Sequence, residues 1–436
     1  MDDLRLIYYG HVFDASGYGQ AARAYIHALH KAGVALSVVD LMKHGRQVRD
    51  DLVESLLDRP MTPDFHLFHG IPPQWARLAF RLPNAIGMTV WETDTMPTQW
   101  RNILSHVLEV WLPCEFNVSA FRRDLRTPLF KLPHALPPHA NANGHGGVGP
   151  IETSADDFVF YSVFEWQERK SPTELIDAYL RAFHDVRQTL LVIKTNPSAA
   201  AVAQAALASA RQRCVSDARI ALRAEAWSDD EIDALHGRGD CYVSLHRGEG
   251  WGYPAFYAAS RGTPVVATGF SGPLEYLGEA ESLLVSYHLA PVRQPYLYYH
   301  PKMRWAEPDA THAAERMRWV YDHRAQARAV AARVAARIQE RYSPDAVGRM
   351  ARDRLRDLLK RTQPAKWRVA VRREQAERCR PTVPIPGAWY DEDYFERGLK
   401  SNWDDGYSWT SFEGLFRETA SFLIDMFPHA ESYLDA

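Results

Sequence analysis

The sequence predicts an α/β architecture of two successive parallel sheets with helices on both faces, followed by a C-terminal extension. Three observations carry this. Short apolar strands alternate with segments of helical period over residues 1–140 and again from 151 onward, the pattern of parallel sheets. A polar, glycine-rich stretch without periodicity, NANGHGGVGP at 141–150, separates the two series. At 436 residues the chain exceeds one typical core, so two domains with an appendage are expected.

In the first series, residues 6–9 form a short apolar strand. Residues 20–32 (QAARAYIHALHKA) carry apolar positions at helical spacing and stop at Gly33. Further strands are expected at 35–41, 65–68, 85–90 and 107–112. The second series has strands at 158–163, 189–193, 220–224, 241–245 and 264–267. It closes with a helical region from about 308 to 359, in which Ser343-Pro344 marks a new helix start. The domains are accordingly drawn at 1–140 and 151–345, with 346–362 a C-terminal helix able to cross back to the first domain. Residues 363–388, basic and proline-bearing, read as a linker, and 389–436 as an extension too rich in aromatics for a solvated tail.

Apolar content of 46% and charged content of 24% are ordinary for a globular protein. A net charge of -3 gives no electrostatic case for a nucleic-acid partner. The four cysteines, Cys114, Cys214, Cys241 and Cys379, lack metal or disulfide spacing and read as reduced thiols of a cytoplasmic protein. The start MDDLRLIYYG lacks a secretory pattern, and no run reaches the roughly 18 apolar residues of a membrane span. The basic stretch 366–380 admits peripheral contact with the inner face of a membrane, and equally a solvated linker.

The strongest local signal is 241–268: CYVSL, then HRGEGWGY, then PAFYAASRG, then TPVVAT. It reads as strand, glycine-rich loop, helix opening at Pro254, stop at Gly262, and strand. Such a loop lies outside the carboxyl end of the sheet, where open α/β proteins bind ligands. Gly250 and Gly252 allow close approach of backbone to a ligand, and the helix start suits phosphate. The bland alternative is a tight turn with an exposed Glu249.

The second signal, at 158–183, is a strand running into Arg169-Lys170 and then Ser171-Pro172-Thr173-Glu174. Ser171 and Glu174 are expected to form a capping box, with Leu175, Ile176, Tyr179, Leu180 and Phe183 as the buried stripe. Two cations before a helix start favour a diphosphate; two solvated charges are the alternative. A third signal, DASGYG at 14–19, fits a GxGxxA fingerprint with Asp40 downstream, but too many residues separate it from its strand for a dinucleotide site.

The strings ERKSPTELIDAYLRAF and VSLHRGEGWGYP…RGTPVVATGFSGPLEYL resemble the second domain of retaining glycosyltransferases of family 4. These have the GT-B fold, two Rossmann-like domains facing a central cleft. The nearest likeness is to bacterial mannosyltransferase-like members that build surface polysaccharides such as O-antigen, often from GDP-mannose. The resemblance spans roughly residues 1–360 and is stronger in the second domain.

It implies a nucleoside-diphosphate sugar as donor, GDP-linked by preference, a glycan or lipid-linked glycan as acceptor, and no metal or other cofactor. Arg169 and Lys170 would neutralise the diphosphate, and Glu249 would hold sugar hydroxyls as the first carboxylate of an E-x7-E motif. The second carboxylate is Tyr257 here, which puts ribose recognition in doubt. His246, Arg247, Gly250, Trp251, Gly252, Tyr253 and Pro254 would shape the donor loop. Gly17 and Gly19 would close over the phosphates from the other side, and Lys194, Asn196, Ser271, Gly272 and Glu275 lie at strand ends on the donor side. Apart from the resemblance, Trp91, Glu92 and Asp94 follow the 85–90 strand and are expected to face the cleft, with Glu92 or Asp94 meeting the acceptor. A surface loop with Asp94 as a helix cap is the equal alternative, and His134 is placed at the domain junction.

Two other readings are a nucleotide-sugar epimerase on the same fold and a non-catalytic sugar-binding or scaffold domain of a polysaccharide assembly complex. The segment YDEDYFERG…GYSW…ESYLDA resembles the lead-in to S-adenosylmethionine-dependent methyltransferases, which implies a truncated piece of a bifunctional protein; a helical extension packing on the transferase is the alternative.

Overall fold

The computed structural model describes residues 4–364 and 366, apart from 43–44, 138–150, 152, 155, 215–217, 279–282 and 294. The linker at 141–150, all but the first residues of the 363–388 segment, and the whole of 389–436 therefore lie outside the described residues. Chain contacts separate Leu4–Leu355, which holds both sheets, from a second unit of Met1–Asp3 with Arg356–Ala436. Within the second unit the described residues are the end of a helix.

The first domain runs β1 (Arg5–Gly10), α1 (Gly17–Lys31), β2 (Ala35–Asp40), α2 (Asp51–Ser55), β3 (Phe65–His69) and α3 (Pro72–Ala79). It continues with β4 (Ala85–Met88), α4 (Trp100–Leu104), β5 (Glu109–Leu112), α5 (Glu115–Arg122) and β6 (Leu129–Lys131). Its six parallel strands lie in the order β2-β1-β3-β4-β5-β6. Helix α1 begins earlier than its apolar spacing indicates, at Gly17, and ends before Gly33, whose φ of +83° is the left-handed geometry that terminates helices.

The second domain runs β7 (Phe158–Val163), α6 (Pro172–Ala182), β8 (Thr189–Lys194), α7 (Ala200–Arg213), β9 (Arg219–Arg223) and α8 (Asp229–Arg238). Then come β10 (Cys241–Ser244), α9 (Tyr253–Ser260), β11 (Val265–Thr268), α10 (Leu274–Leu277) and β12 (Leu283–Val285). The strand order is β12-β11-β10-β7-β8-β9, all parallel. Strands with both faces covered are almost wholly apolar, as in β8, where every residue is buried.

An antiparallel hairpin, β13 (Tyr287–Pro291) and β14 (Arg304–Pro308), interrupts this series; no alternating pattern in the sequence announces it. The expected helical region is three helices, α11 (Ala310–Asp322), α12 (Arg324–Arg341) and α13 (Pro344–Thr362), the last beginning at the expected Ser343-Pro344 start. The Asp309 side chain caps α11, accepting from the Thr311 and His312 amides at 2.9 and 3.0 Å. Ser343 Oγ accepts from the Ala346 amide at 3.3 Å ahead of α13. The start of α13 lies against the first domain. Lys31 donates to Asp345 at 2.8 Å, and a Cβ on Gly348 would come within 2.2 Å of the Ala28 carbonyl.

The first core is built around Trp75, Trp100, Phe121, Val110 and Leu112, and it takes in Val292, Tyr299, Met303 and Trp305 from the hairpin region. The second core joins Phe160, Tyr179, Phe183, Leu191 and Val243 with Met317 and Val320 of α11.

Candidate active site

In the second sheet the winding direction reverses between β7 and β10, which are neighbours. Loops leaving their carboxyl ends diverge there, and such a switch point is where open α/β sheets bind ligands. The loop after β7 carries Arg169 and Lys170 in one 3-10 turn, Glu168–Lys170. The loop after β10 carries Glu249.

These residues meet. Arg169 Nη1 donates to Glu249 Oε2 at 3.1 Å and to the Gly248 carbonyl at 2.8 Å, and Lys170 Nζ pairs with Glu249 Oε1. Glu249 is 8% exposed. Burial alone would raise its carboxyl, but Lys170 and Arg169 outweigh burial and hold it at about 2. Burial lowers Lys170 instead, opposed by Glu249 and helped by the like charge of Arg169.

The expected capping box at the head of α6 does not form. Ser171 has φ 49° and ψ 52°, which turns its hydroxyl away from the helix amides, and that hydroxyl is buried without a partner. Pro172 is the first helical residue. Glu174 accepts instead from Arg247 Nη2 at 2.7 Å.

Arg247, expected against the donor, is a structural bridge. It forks onto Glu307 at 2.9 and 2.6 Å, reaches Glu174, donates to the Glu168 carbonyl, and is 2% exposed. Its backbone amide donates to the Arg169 carbonyl at 2.7 Å, so it fixes the turn that aims the two cations. His246 is likewise engaged inward. Burial lowers its pKa, leaving a neutral ring whose Nε2–H donates to the Phe270 carbonyl at 3.0 Å while Nδ1 accepts from Ser244 at 3.0 Å.

The Ser271–Gly272 turn supports Glu249 from behind. Ser271 Oγ accepts from the Glu249 amide at 2.9 Å, and the Gly272 amide donates to the Glu249 carbonyl at 2.9 Å. A Cβ on Gly272 would sit 2.4 Å from the Gly250 carbonyl. Gly252 has φ +83° ahead of α9, which starts at Tyr253, so Pro254 is its second residue. Trp251 and Tyr253 pack on His134 at ring distances of 5.1 and 5.3 Å, at the junction of the domains.

Tyr257 is half-buried; burial raises its phenol above the ordinary range. Lys194 Nζ donates to the Thr195 carbonyl at 2.7 Å, and Asn196 Oδ1 accepts from the Trp166 amide at 2.8 Å, bracing the loops beside β7. Glu275, expected on the phosphate side, is held by the first domain: it accepts from Lys131 at 2.8 Å and from the Glu115 amide at 2.9 Å.

Across the interface, Glu92 Oε2 accepts from the Tyr299 hydroxyl at 3.0 Å. Burial raises its carboxyl, and Arg169 draws it back. Trp91 is a core residue: its indole donates to Thr93 Oγ1 and the Thr95 carbonyl, and its ring stacks on Tyr299 at 4.7 Å. Asp94 exchanges bonds with the Arg304 backbone at 2.8 and 3.0 Å. Gly17 opens α1, and a Cβ there would lie 3.9 Å from Tyr253; at Gly19 it would meet the Asp14 carbonyl at 1.9 Å, so the 14–19 loop folds tightly on itself.

The two domains touch at the cluster. A Cβ on Gly248 would fall 2.1 Å from the Glu92 carbonyl, and one on Gly250 would fall 2.7 Å from Val90 Cβ. Gly248→Ala is therefore expected to prise the domains apart and lower stability by about 1–3 kcal/mol, read as a fall in Tm with the far-UV spectrum unchanged. Glu307 and Tyr299 have no local motif, while Gly248 lies within HRGEGWGY, where nothing marks it as a contact; the aromatic run YLYYH at 296–300 is the one hint that part of this loop packs inward, at Tyr299.

Three comparisons bear on this geometry. A sucrose-phosphate synthase from Thermosynechococcus elongatus superposes with a TM-score of 0.59 at 14% identity, covering 82% of this chain and 100% of its own. An α,α-trehalose 6-phosphate synthase from Burkholderia multivorans gives 0.60 at 12%, covering 83% and 100%. The chain has the GT-B fold. Anabaena HepE in complex with UDP-glucose gives 0.56 at 12%, covering 81% of this GT-B chain and 99% of its own. Residues 165–350 match the family model GT4-conflict, described as Family 4 Glycosyltransferase in conflict systems. No curated protein matches significantly. Family match and fold together support a GT-B glycosyltransferase. Among the described residues, no helix is long and apolar enough to cross a membrane, and no group of His, Cys, Asp and Glu could hold a metal ion.

Proposed function

We propose that the protein moves a hexose, mannose-like by preference, from a nucleoside-diphosphate sugar to a glycan or lipid-linked glycan acceptor, with retention at the anomeric carbon. Residues 151–345 would hold the donor and 1–140 the acceptor. The supporting observation is the pair of half-buried cations, Arg169 and Lys170, beside the head of α6 and facing Glu249 at the β7–β10 switch point. Glu249 pairs with both cations and Glu92 lies within their electrostatic reach; a diphosphate would take over the anion's place that Glu249 fills here.

On this reading Arg169, Lys170 and the α6 amides take the charge of the leaving diphosphate. Glu249 turns to the donor hydroxyls as the phosphates take over its cations. The acceptor hydroxyl bonds to the anomeric carbon on the face the diphosphate leaves, and a phosphate oxygen receives its proton. Tyr257 offers the ribose a hydroxyl where a second carboxylate would stand. The GDP preference and the role in surface polysaccharide such as O-antigen, made at the inner face of the membrane, rest on the sequence resemblance alone. HepE's complex with UDP-glucose makes a uridine donor the first comparison.

The test incubates the protein with GDP-mannose or UDP-glucose, with and without glycan acceptors, and follows nucleotide release and product. Transfer that falls about a hundredfold in Lys170→Met is expected. Wild-type turnover in that variant removes the proposal. Donor conversion without acceptor favours an epimerase, and binding without turnover favours a scaffold. A specific observation keeps the scaffold reading in play: Glu249 already neutralises part of the cation pair.

A further inference from the structure

We propose that the β13–β14 hairpin is a strap that holds the two domains shut over the Arg169–Lys170–Glu249 cluster, so that a diphosphate must loosen it to enter; the entry step rests on the donor reading above. By chain order the hairpin belongs to the second domain, between β12 and α11. Its base is fixed there. Glu307 is clamped by Arg247, Arg293 Nη2 adds a bond to Glu307 at 3.2 Å, and the Ala306 amide donates to the Arg247 carbonyl at 2.8 Å.

The far end lies in the other domain. Val292, Tyr299, Met303 and Trp305 are buried in the first core. Tyr299 stacks on Trp91 and donates to Glu92, Tyr298 meets Trp100 edge-on at 5.6 Å, and the Arg304 backbone pairs with Asp94. A hinge motion that parts the sheets must therefore draw these rings out of the first core or break the clamp on Glu307.

The strap also shows signs of being releasable. The Trp305 indole N–H is buried without a hydrogen-bond partner, which costs free energy in the shut state. Leu297, 87% exposed at the tip, has φ +48°, an unfavourable backbone for a branched residue. Under the strap, Arg169 and Lys170 side chains are only 12% and 16% exposed, and Gly248 and Gly250 press on Glu92 and Val90. The cations are thus covered until the domains part.

Tyr299→Phe keeps the ring and removes the bond to Glu92; Asp94→Ala removes the acceptor of the Arg304 amide. Tyr287→Phe, on the exposed side of the hairpin, is the control. Amide hydrogen exchange over residues 287–308 is expected to quicken about tenfold in the first two and not in the control. Calorimetric affinity for GDP, UDP and inorganic pyrophosphate should tighten by a similar factor, because a larger fraction of molecules is open. Unchanged exchange in both variants overturns the strap. Faster exchange with unchanged or weaker binding overturns the claim that it covers the site. Faster exchange with no binding of any probe, by wild type or variant, leaves the strap standing and overturns the nucleotide-sugar reading instead.

Discussion

Glu249→Gln is expected to cost about 3–5 kcal/mol of folding free energy, because it strands two cations that face one carboxylate in a buried site. The substitution keeps shape and removes only charge, so cavity formation does not confuse the result. A fall in denaturant midpoint at constant m-value would establish it; a loss below about 1 kcal/mol would show the cations reach water unaided. The pH profile adds a second reading. The folded carboxyl, at about 2, lies below its ordinary value of 4.5. Its contribution is therefore complete above about pH 4.5 and is lost as pH falls toward 2. The acid limb of the Tm profile should be shallower in Glu249→Gln.

Arg247→Met should be comparably damaging, again about 3–5 kcal/mol, since Glu307 and Glu174 would be left facing each other without their shared cation. Glu307 ionises more readily than usual in spite of burial, because Arg247 forks onto it. Arg247→Lys keeps the charge but loses the fork, and so should recover only part of the stability. If Arg247 holds the turn of Arg169 and Lys170, the lysine variant should also turn over more slowly at saturating donor, a change that plain destabilisation would not produce. Equal stability of wild type and Arg247→Met, by chemical denaturation, would sink this account.

Both parallel sheets were legible because their strands are short apolar runs separated by helical periods, and because Gly33 and Gly262 end helices where the spacing ends. Arg169, Lys170 and Glu249 could be singled out since each follows a strand by a few residues. What was not legible was direction. Arg247 neighbours Glu249 in sequence, yet its side chain runs into the α6–β14 network. Ser171 and Glu174 have the spacing of a capping box, but the left-handed backbone of Ser171 cancels it. Glu275 and Asp94 bond across the domain interface, and partners so distant in sequence leave no local signature. The hairpin has no sequence signature because its strands, YHLAP and RWAEP, do not alternate between apolar and polar residues and are joined by a long, largely exposed loop.

The placement of Val292, Tyr299, Met303 and Trp305 within the N-terminal core has a consequence for biosynthesis. As the ribosome delivers the chain, the leading half must wait with an unfilled apolar face until residue 305 has emerged. Vectorial folding, in which an early domain matures before the next is made, is thereby suspended, and the nascent N-terminal half is the stretch most in need of a chaperone.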